Sequence, residues 1–467
     1  MARSYIAADR ATRAAARCPE SRALLSLTYE DQFMKRKNTR GLGFWAVSAI
    51  GVGGMVGGGI FAVLGLAVQL AHGATPVAFL IAGTVAMVTA YSYIRFSVAF
   101  PSQGGTVEFV NQAFGEGVFT GSLNVLLWIS YIVMLSLYAF AFGSYAGSFF
   151  SGSLAPIVRH GAITAAIIVM TVLNVAGSKL VGEAEEIVVG FKLAILLAFI
   201  VFGLPGADLA SLSRASWPAI PQLVAGGMII FLAYEGFELI ANSAGDVRVP
   251  EKTLPRAFVA SVLFVILLYI LISAVAVGNL SVDQIVSAKD YALAVAARPF
   301  LGTAGFSLIA VAAMLSTGSA INATLYGSAR VSYIIAKEGE LPQALEQKIW
   351  KRPLEGLLIT AGISVVVANL FHLSSISVMG SAGFLMVFTA VNVAALKMRK
   401  RIGARAFLPL LGLILCVGAL VALVWQRVRT APEDIWIFIS MVGLSLVVET
   451  LYRLRSGRSI RPQHRNQ

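Results

Sequence analysis

The sequence predicts an all-α polytopic membrane protein of twelve transmembrane helices, two of them discontinuous. Three observations carry that prediction. Of the 467 residues, 58% are hydrophobic and only 13% are charged, against about a quarter charged in soluble domains. Twelve predominantly apolar windows are long enough to cross a hydrocarbon core about 30 Å thick. Two of those windows, the first and the sixth, are interrupted near their middles by residues that a lipid-embedded helix does not readily hold.

The windows run near 44–70, 76–100, 118–150, 160–177, 186–204, 222–244, 256–278, 300–336, 356–372, 375–396, 406–425 and 435–453. Assigning alternate sides to the connections separates the positive charges. One side collects 29 of the 36 Lys and Arg, including both tails, Arg95, Lys179, the Arg248/Lys252/Arg256 loop, Arg330–Arg352 and Lys397–Arg405. The other side holds six: Arg159, Arg214, Lys289, Arg298, Arg427 and Arg429. Lys192 alone remains inside a span. The positive-inside rule therefore predicts a cell (plasma or inner) membrane protein with both termini cytoplasmic. The net charge of +13 follows from this topology, and nucleic acid is not an expected partner.

Other classes find little support. Cys18 and Cys416 form no disulfide framework, the four histidines are scattered, and no metal or cofactor is expected. Residues 1–33 lack the apolar core of a secretory signal. Met34 begins Met-Lys-Arg-Lys-Asn and reads as a natural start, or else the segment is a short solvated tail; no function is assigned to it. Glu183, Glu185 and Glu186, just before span five, read as a solvated cytoplasmic edge.

Span one contains Gly51-Val52-Gly53-Gly54-Met55-Val56-Gly57-Gly58-Gly59-Ile60-Phe61, six glycines in nine residues. Each costs a helix about 1 kcal/mol relative to alanine. Opened backbone survives at membrane depth only where protein buries it or it lines a cavity. Two readings stand: close helix packing through Gly53-x-x-x-Gly57, or unwinding that exposes peptide groups to a ligand. A dinucleotide fingerprint is excluded, because it needs a preceding strand and an acidic residue about 20 positions on. No Asp or Glu occurs between Asp31 and Glu108.

Span six reads Phe231-Leu232-Ala233-Tyr234-Glu235-Gly236-Phe237-Glu238. An ionised carboxylate at that depth costs several kcal/mol unless it faces a polar interior. Paired interruptions in two halves point to the binding site of an inverted-repeat transporter. A spacing of five spans makes residues 44–204 and 222–396 the two repeats. Two further helices follow over 406–453, with tails at 1–43 and 454–467.

Several motifs together resemble the amino acid–polyamine–organocation superfamily of permeases. They are Gly57-x-Gly59-Ile60-Phe61, Pro101-Ser102-Gln103-Gly104-Gly105, Gly236-Phe237-Glu238, Asp246-x-x-x-Pro250-x-x-x-x-Pro255-Arg256, and Ser316-Thr317-Gly318-Ser319-Ala320-Ile321-Asn322-Ala323 leading to Ser328-x-Arg330. They lie in the family's order across spans one to eight. The resemblance implies a five-plus-five inverted repeat that moves amino acids or related amines by alternating access. It also implies residue roles. Amides of Gly57, Gly58, Gly59 and Ile60 would hold the substrate carboxylate, consistent with the positive end of a half-helix. Carbonyls of Met55, Leu232 and Glu235 would hold its ammonium, with Phe231, Ala233, Tyr234 and Gly236 completing the substrate site. Phe61, Phe231 and Tyr234 flank the breaks; Phe61 and Phe231 are the candidate gates. At Gly58 the family often has a small hydroxyl residue, so carboxylate binding here would rest on the backbone.

Three intramembrane charges remain. Glu235 stands where the family usually has an uncharged residue; it contacts a cationic substrate group, carries a proton, or pairs with a buried base. Glu238 matches an acidic residue of many members, and three residues from Glu235 it shares a helix face, so the two could share one proton. Lys192 lies about six residues inside span five, where it either snorkels to the interface or serves a site. In related proton-coupled permeases a lysine there takes the position of a bound sodium. The resemblance thus implies that its ammonium bridges span-one carbonyls and the hydroxyls of Ser316 and Thr317. A desolvated lysine can lose its proton within a transport cycle. Residues 279–299 form an amphipathic segment of the length expected for an extracellular lid.

The expected function is secondary active transport of an amino acid or small amine, with a proton as coupling ion; exchange without net proton movement is the alternative. A membrane enzyme lacks its metal or nucleophile signature here, and a transport-derived sensor lacks a signalling domain.

Overall fold

The computed structural model describes residues 41–115, 117–176, 179–337 and 354–456. The N-terminal tail up to residue 40, the C-terminal tail from 457 and the side chains of Glu183, Glu185 and Glu186 lie outside the described residues. Among the described residues all regular structure is helical, apart from one isolated bridge between Leu42 and Val247. Helix is what the sequence demands. Backbone polar groups in lipid must be satisfied within the segment.

Span one comprises α1 (Phe44–Met55) and α2 (Gly59–Ala71). After it come α3 (Thr75–Ala99), the short α4 (Thr106–Phe114), α5 (Val118–Gly147), α6 (Leu154–Ala176) and α7 (Lys179–Gly203). Span six comprises α8 (Ile220–Ile229), a 3-10 turn at Phe231–Tyr234 and α9 (Leu239–Asn242). The second half continues with α10 (Pro250–Asn279), the short α11 (Val282–Ala288) and α12 (Ala292–Ala296), α13 (Arg298–Lys337), α14 (Leu354–Leu370) and α15 (Leu373–Lys397). Two helices close the chain, α16 (Phe407–Thr430) and α17 (Glu433–Ser456).

Each of the twelve apolar windows contains helix among its described residues, with breaks in the first and the sixth. Among the described residues eight stretches are long and apolar enough to cross a membrane, or nine if the two halves of span six, bent by 48°, count as one. The twelve-span expectation is finer than that test, partly because α1 and α14 are apolar but short.

Local signals set the boundaries. Pro250 opens α10, where its missing N–H costs nothing. Ser281 and Gln284 form a capping box that starts α11. The expected lid segment thus contains two short helices joined by a turn at Lys289–Tyr291.

The centre and the rim of the bundle differ sharply. In the most apolar stretch of α5, 89% of residues are buried, against 22% for α6. Ile157, Ile168, Val169 and Val172 of α6 are exposed, as are Leu410, Ile414 and Val421 of α16. Those faces suit lipid. The most extensive packing joins α5 to α13 and α3 to α10. Further pairs come in related sets: α1 on α10 and α8 on α3, α7 on α13 and α15 on α5, α6 on α5 and α14 on α13.

Candidate functional site: two helix breaks face each other

Span one unwinds within the glycine run. Helix α1 ends at Met55, Val56–Gly58 form a turn, and α2 begins at Gly59. Span six opens more widely. Glu235 is extended, Gly236 takes φ +117°, and helix resumes only at Leu239. A φ of that sign strains any L side chain, so glycine is required at 236.

The breaks lie backbone to backbone. A Cβ on Gly59 would come within 2.7 Å of Ala233 Cα, and one on Gly236 within 2.6 Å of the Gly54 carbonyl carbon. A Cβ on Gly58 would run into the Tyr138 ring, and one on Gly57 would lie 2.9 Å from Ala320 Cβ. Packing and unwinding are thus not rivals in the glycine run. The same small residues do both.

Side chains from neighbouring helices take up the freed peptide groups. The Ser316 hydroxyl of α13 donates to the carbonyls of Val56 (3.0 Å) and Gly57. Lys192 of α7, almost fully buried, donates from Nζ to the Gly53 carbonyl at 3.0 Å. Thr317, expected beside Ser316, instead donates to Ala313 O of its own helix at 2.7 Å, because its hydroxyl lies back along α13. In span six, Ser377 and Ser381 of α15 donate to Ile229 O at 2.7 and 3.0 Å. Ser381 also accepts from the Leu232 N–H at 3.2 Å. Tyr269 of α10 links both breaks. Its hydroxyl reaches Met55 O at 2.7 Å and Ala233 O at 3.2 Å, and the Ile60 N–H faces its oxygen. The expected Met55 carbonyl and Ile60 amide are therefore engaged by one tyrosine.

The two carboxylates are both buried. Glu238 accepts from the Tyr131 hydroxyl at 3.2 Å and from the Gly236 N–H at 2.7 Å. Glu235 lies in hydrogen-bonding contact with Glu238, and its Oε1 has no hydrogen-bond partner. Tyr234 points away, donating to Phe79 O of α3 at 2.8 Å. Phe231 is fully buried and packs edge-on against Phe388 of α15, with centroids 5.9 Å apart.

Both ends of the bundle close over this region. On the side of the lid, the Tyr145 hydroxyl donates to Phe61 O at 3.0 Å, and its ring meets that of Phe61 edge-on. The Lys289 carbonyl packs where a Cβ on Gly65 would be. Burial raises the carboxyl pKa of Asp290 in the same turn, although the nearby Arg159, Lys289 and His372 favour its charged form. At the opposite end Gln103 donates to both oxygens of Asp246, at 2.9 and 3.1 Å. Leu42 N donates to Asp246 O at 2.8 Å, and Arg248 N donates to Leu42 O at 2.9 Å. The Pro101–Gly105 and Asp246–Pro250 motifs thus meet each other.

Residues missed from the sequence are Tyr131, Tyr138, Tyr269, Ser377 and Ser381. A signal existed for two of them. Tyr131, Tyr138 and Tyr145 recur every seven residues, which places them on one face of α5 about 10 Å apart.

Comparison with known proteins agrees with this architecture. The family model described as amino acid permease matches residues 42–447. An uncharacterised protein of Methanocaldococcus jannaschii is 36% identical over 434 residues, covering 91% of this chain and 98% of the relative. The inner membrane transport protein YbaT of Escherichia coli is 35% identical, covering 87% and 95%. The branched-chain amino acid permease BcaP of Bacillus subtilis is 24% identical, covering 90% and 94%. A membrane-transporter architecture, a family match over most of its length and relatives matched almost end to end give one conclusion: the chain belongs to the amino acid permease family.

Proposed function

We propose that this transporter moves an amino acid by alternating access, with the substrate's charged head held between the breaks of spans one and six and a proton as coupling ion. The observation that carries the reading is the meeting of two unwound segments at the buried centre of the bundle. The first turn of α2 begins at Gly59, and its N–H groups have no acceptor within that helix. Together with the Gly58 N–H they form a positive end suited to a carboxylate, while the Gly57 N–H, also expected there, donates to Gly54 O at 3.2 Å. Carbonyls of Met55, Leu232 and Glu235 suit the ammonium. Tyr269 already touches Met55 O and Ala233 O, so an arriving ammonium shares or displaces its hydroxyl.

Proton coupling is assigned to Lys192. Its bond to Gly53 O anchors the end of α1, and loss of its proton weakens that anchor and frees α1 to move. Ser316 holds the adjacent carbonyls of Val56 and Gly57. Phe61 and Phe231 serve as gates, Phe61 through its contact with Tyr145. The packing pattern supports an inverted repeat. Exchanging each span of the first five for its counterpart five later turns α1–α10 into α8–α3, α7–α13 into α15–α5, and α6–α5 into α14–α13. Twelve spans with both termini cytoplasmic complete the proposed topology.

The test is uptake of labelled amino acids into proteoliposomes under imposed pH or sodium gradients, repeated with Lys192→Ala. The expected result is uptake driven by an inward proton gradient in the parent protein and lost pH dependence in the variant. Uptake driven by sodium at constant pH contradicts proton coupling. Unchanged pH dependence in Lys192→Ala contradicts the role of the lysine.

A further inference from the structure

Glu235 has three possible partners on sequence grounds, and the geometry removes one. Among the described residues it forms no ion pair, and Lys192 is bonded to Gly53 O in span one. Its surroundings are acidic and phenolic: Glu238 on the same break, Tyr93 on α3, and Tyr131 and Tyr138 on α5 all lie close enough to feel its charge. Glu235 is only 3% exposed, yet its Oε1 has no hydrogen-bond partner. A buried acceptor left empty is costly. A donor brought by a ligand would satisfy it.

Two acidic groups lie side by side, and among the described residues neither forms an ion pair with a base. Each oxygen of Glu238 has a partner, the Tyr131 hydroxyl and the Gly236 N–H, whereas Glu235 Oε1 has none. Tyr138 connects this carboxyl to the other break. Its ring packs on Gly58, in the proposed carboxylate-binding turn, and it lies near enough to Glu235 to feel that group's charge. Tyr138 therefore borders both the Gly58 turn and the carboxyl pair.

We propose that the Glu235–Glu238 pair is a cation subsite that takes a second ammonium or guanidinium group, so that the preferred substrate is an amino acid with a positively charged side chain. This rests on the amino acid transport reading and names its substrate class. The donor N–H of the side-chain cation fills the open Oε1, and its positive charge comes to rest beside two acidic groups that have no base of their own. An apolar side chain supplies neither, and a neutral amide supplies the donor without the charge.

The test is competition binding to the purified full chain, using lysine, norleucine and glutamine as probes, with the parent protein, Glu235→Gln and Glu235→Asp. In the parent, lysine is expected to bind about tenfold more tightly than norleucine or glutamine, the range expected for a charge-assisted hydrogen bond. In Glu235→Gln the lysine-to-norleucine ratio should fall to within about twofold, and Glu235→Asp should keep part of the preference. Equal or weaker binding of lysine than norleucine in the parent overturns the proposal, even if neither variant folds. Glutamine matching lysine overturns the cationic assignment. A lysine preference that survives Glu235→Gln while the pH dependence of binding flattens makes a proton the occupant, and also overturns it. In each of those cases amino acid binding persists and the transport reading stands. Absence of binding by any amino acid to a monodisperse parent protein overturns both.

Discussion

The two helix breaks solve one physical problem in different ways. Span one opens over three residues with no polar side chain of its own, and neighbours supply Ser316, Lys192 and Tyr269 to its carbonyls. Span six opens over nine residues, 230–238, and brings Glu235 and Glu238 with it. The first break therefore offers a ligand backbone dipoles whose charge is fixed. The second presents acidic side chains. Invariant head groups suit the first kind of surface and variable substrate features suit the second.

Four substitutions break or sharpen that contrast. The largest effect is expected at Gly236, where a φ of +117° and the nearby Gly54 backbone leave no room for a side chain. Gly236→Ala should cost about 1–3 kcal/mol in strain alone, read as a clear fall in thermal stability; an unchanged melting temperature would mean the span-six break is plastic. Next comes Gly58→Leu, whose side chain would collide with the Tyr138 ring. It should abolish substrate binding in a protein that still inserts and purifies, and retained binding would reduce the glycine run to packing.

Tyr269→Phe should be milder. It removes the hydroxyl shared by Met55 O and Ala233 O, a loss of about 0.5–1.5 kcal/mol, read as a two- to tenfold change in affinity. A larger fall would make the tyrosine itself a ligand contact. The smallest effect is at Asp290, outside the breaks. Because burial raises its carboxyl pKa, the folded protein holds that proton more tightly than the unfolded chain does. Stability is then greatest at low pH and declines as pH rises from the ordinary aspartate range through the raised value. Asp290→Asn should flatten that decline in thermal melts across acid pH; an unaltered slope would assign it to other groups.

Much of this contrast was legible in the sequence. Six glycines within nine apolar residues mark the first break, and Glu235-Gly236 marks the second, because both features are costly inside lipid. Lys192 stood out for the same reason. What the sequence hid was the clamping. Ser377, Ser381 and Tyr269 are ordinary residues of apolar helices, and only the packing of α10 and α15 against the breaks gives them work. Thr317 misled for the opposite reason. It adjoins Ser316 in sequence, but a helix turns about 100° per residue, which sends its hydroxyl back to Ala313 O. The Tyr131–Tyr138–Tyr145 series was readable by its seven-residue spacing, though nothing in that spacing tells which break each tyrosine meets.

The central claim is that the breaks jointly hold both charged groups of an amino acid head. Its most direct test is competition binding with one substrate amino acid, the amine lacking its carboxylate and the acid lacking its amine. The account predicts that losing either group weakens binding by about tenfold or more, as expected for charge-assisted hydrogen bonds. Equal competition by the amine or by the acid would contradict it.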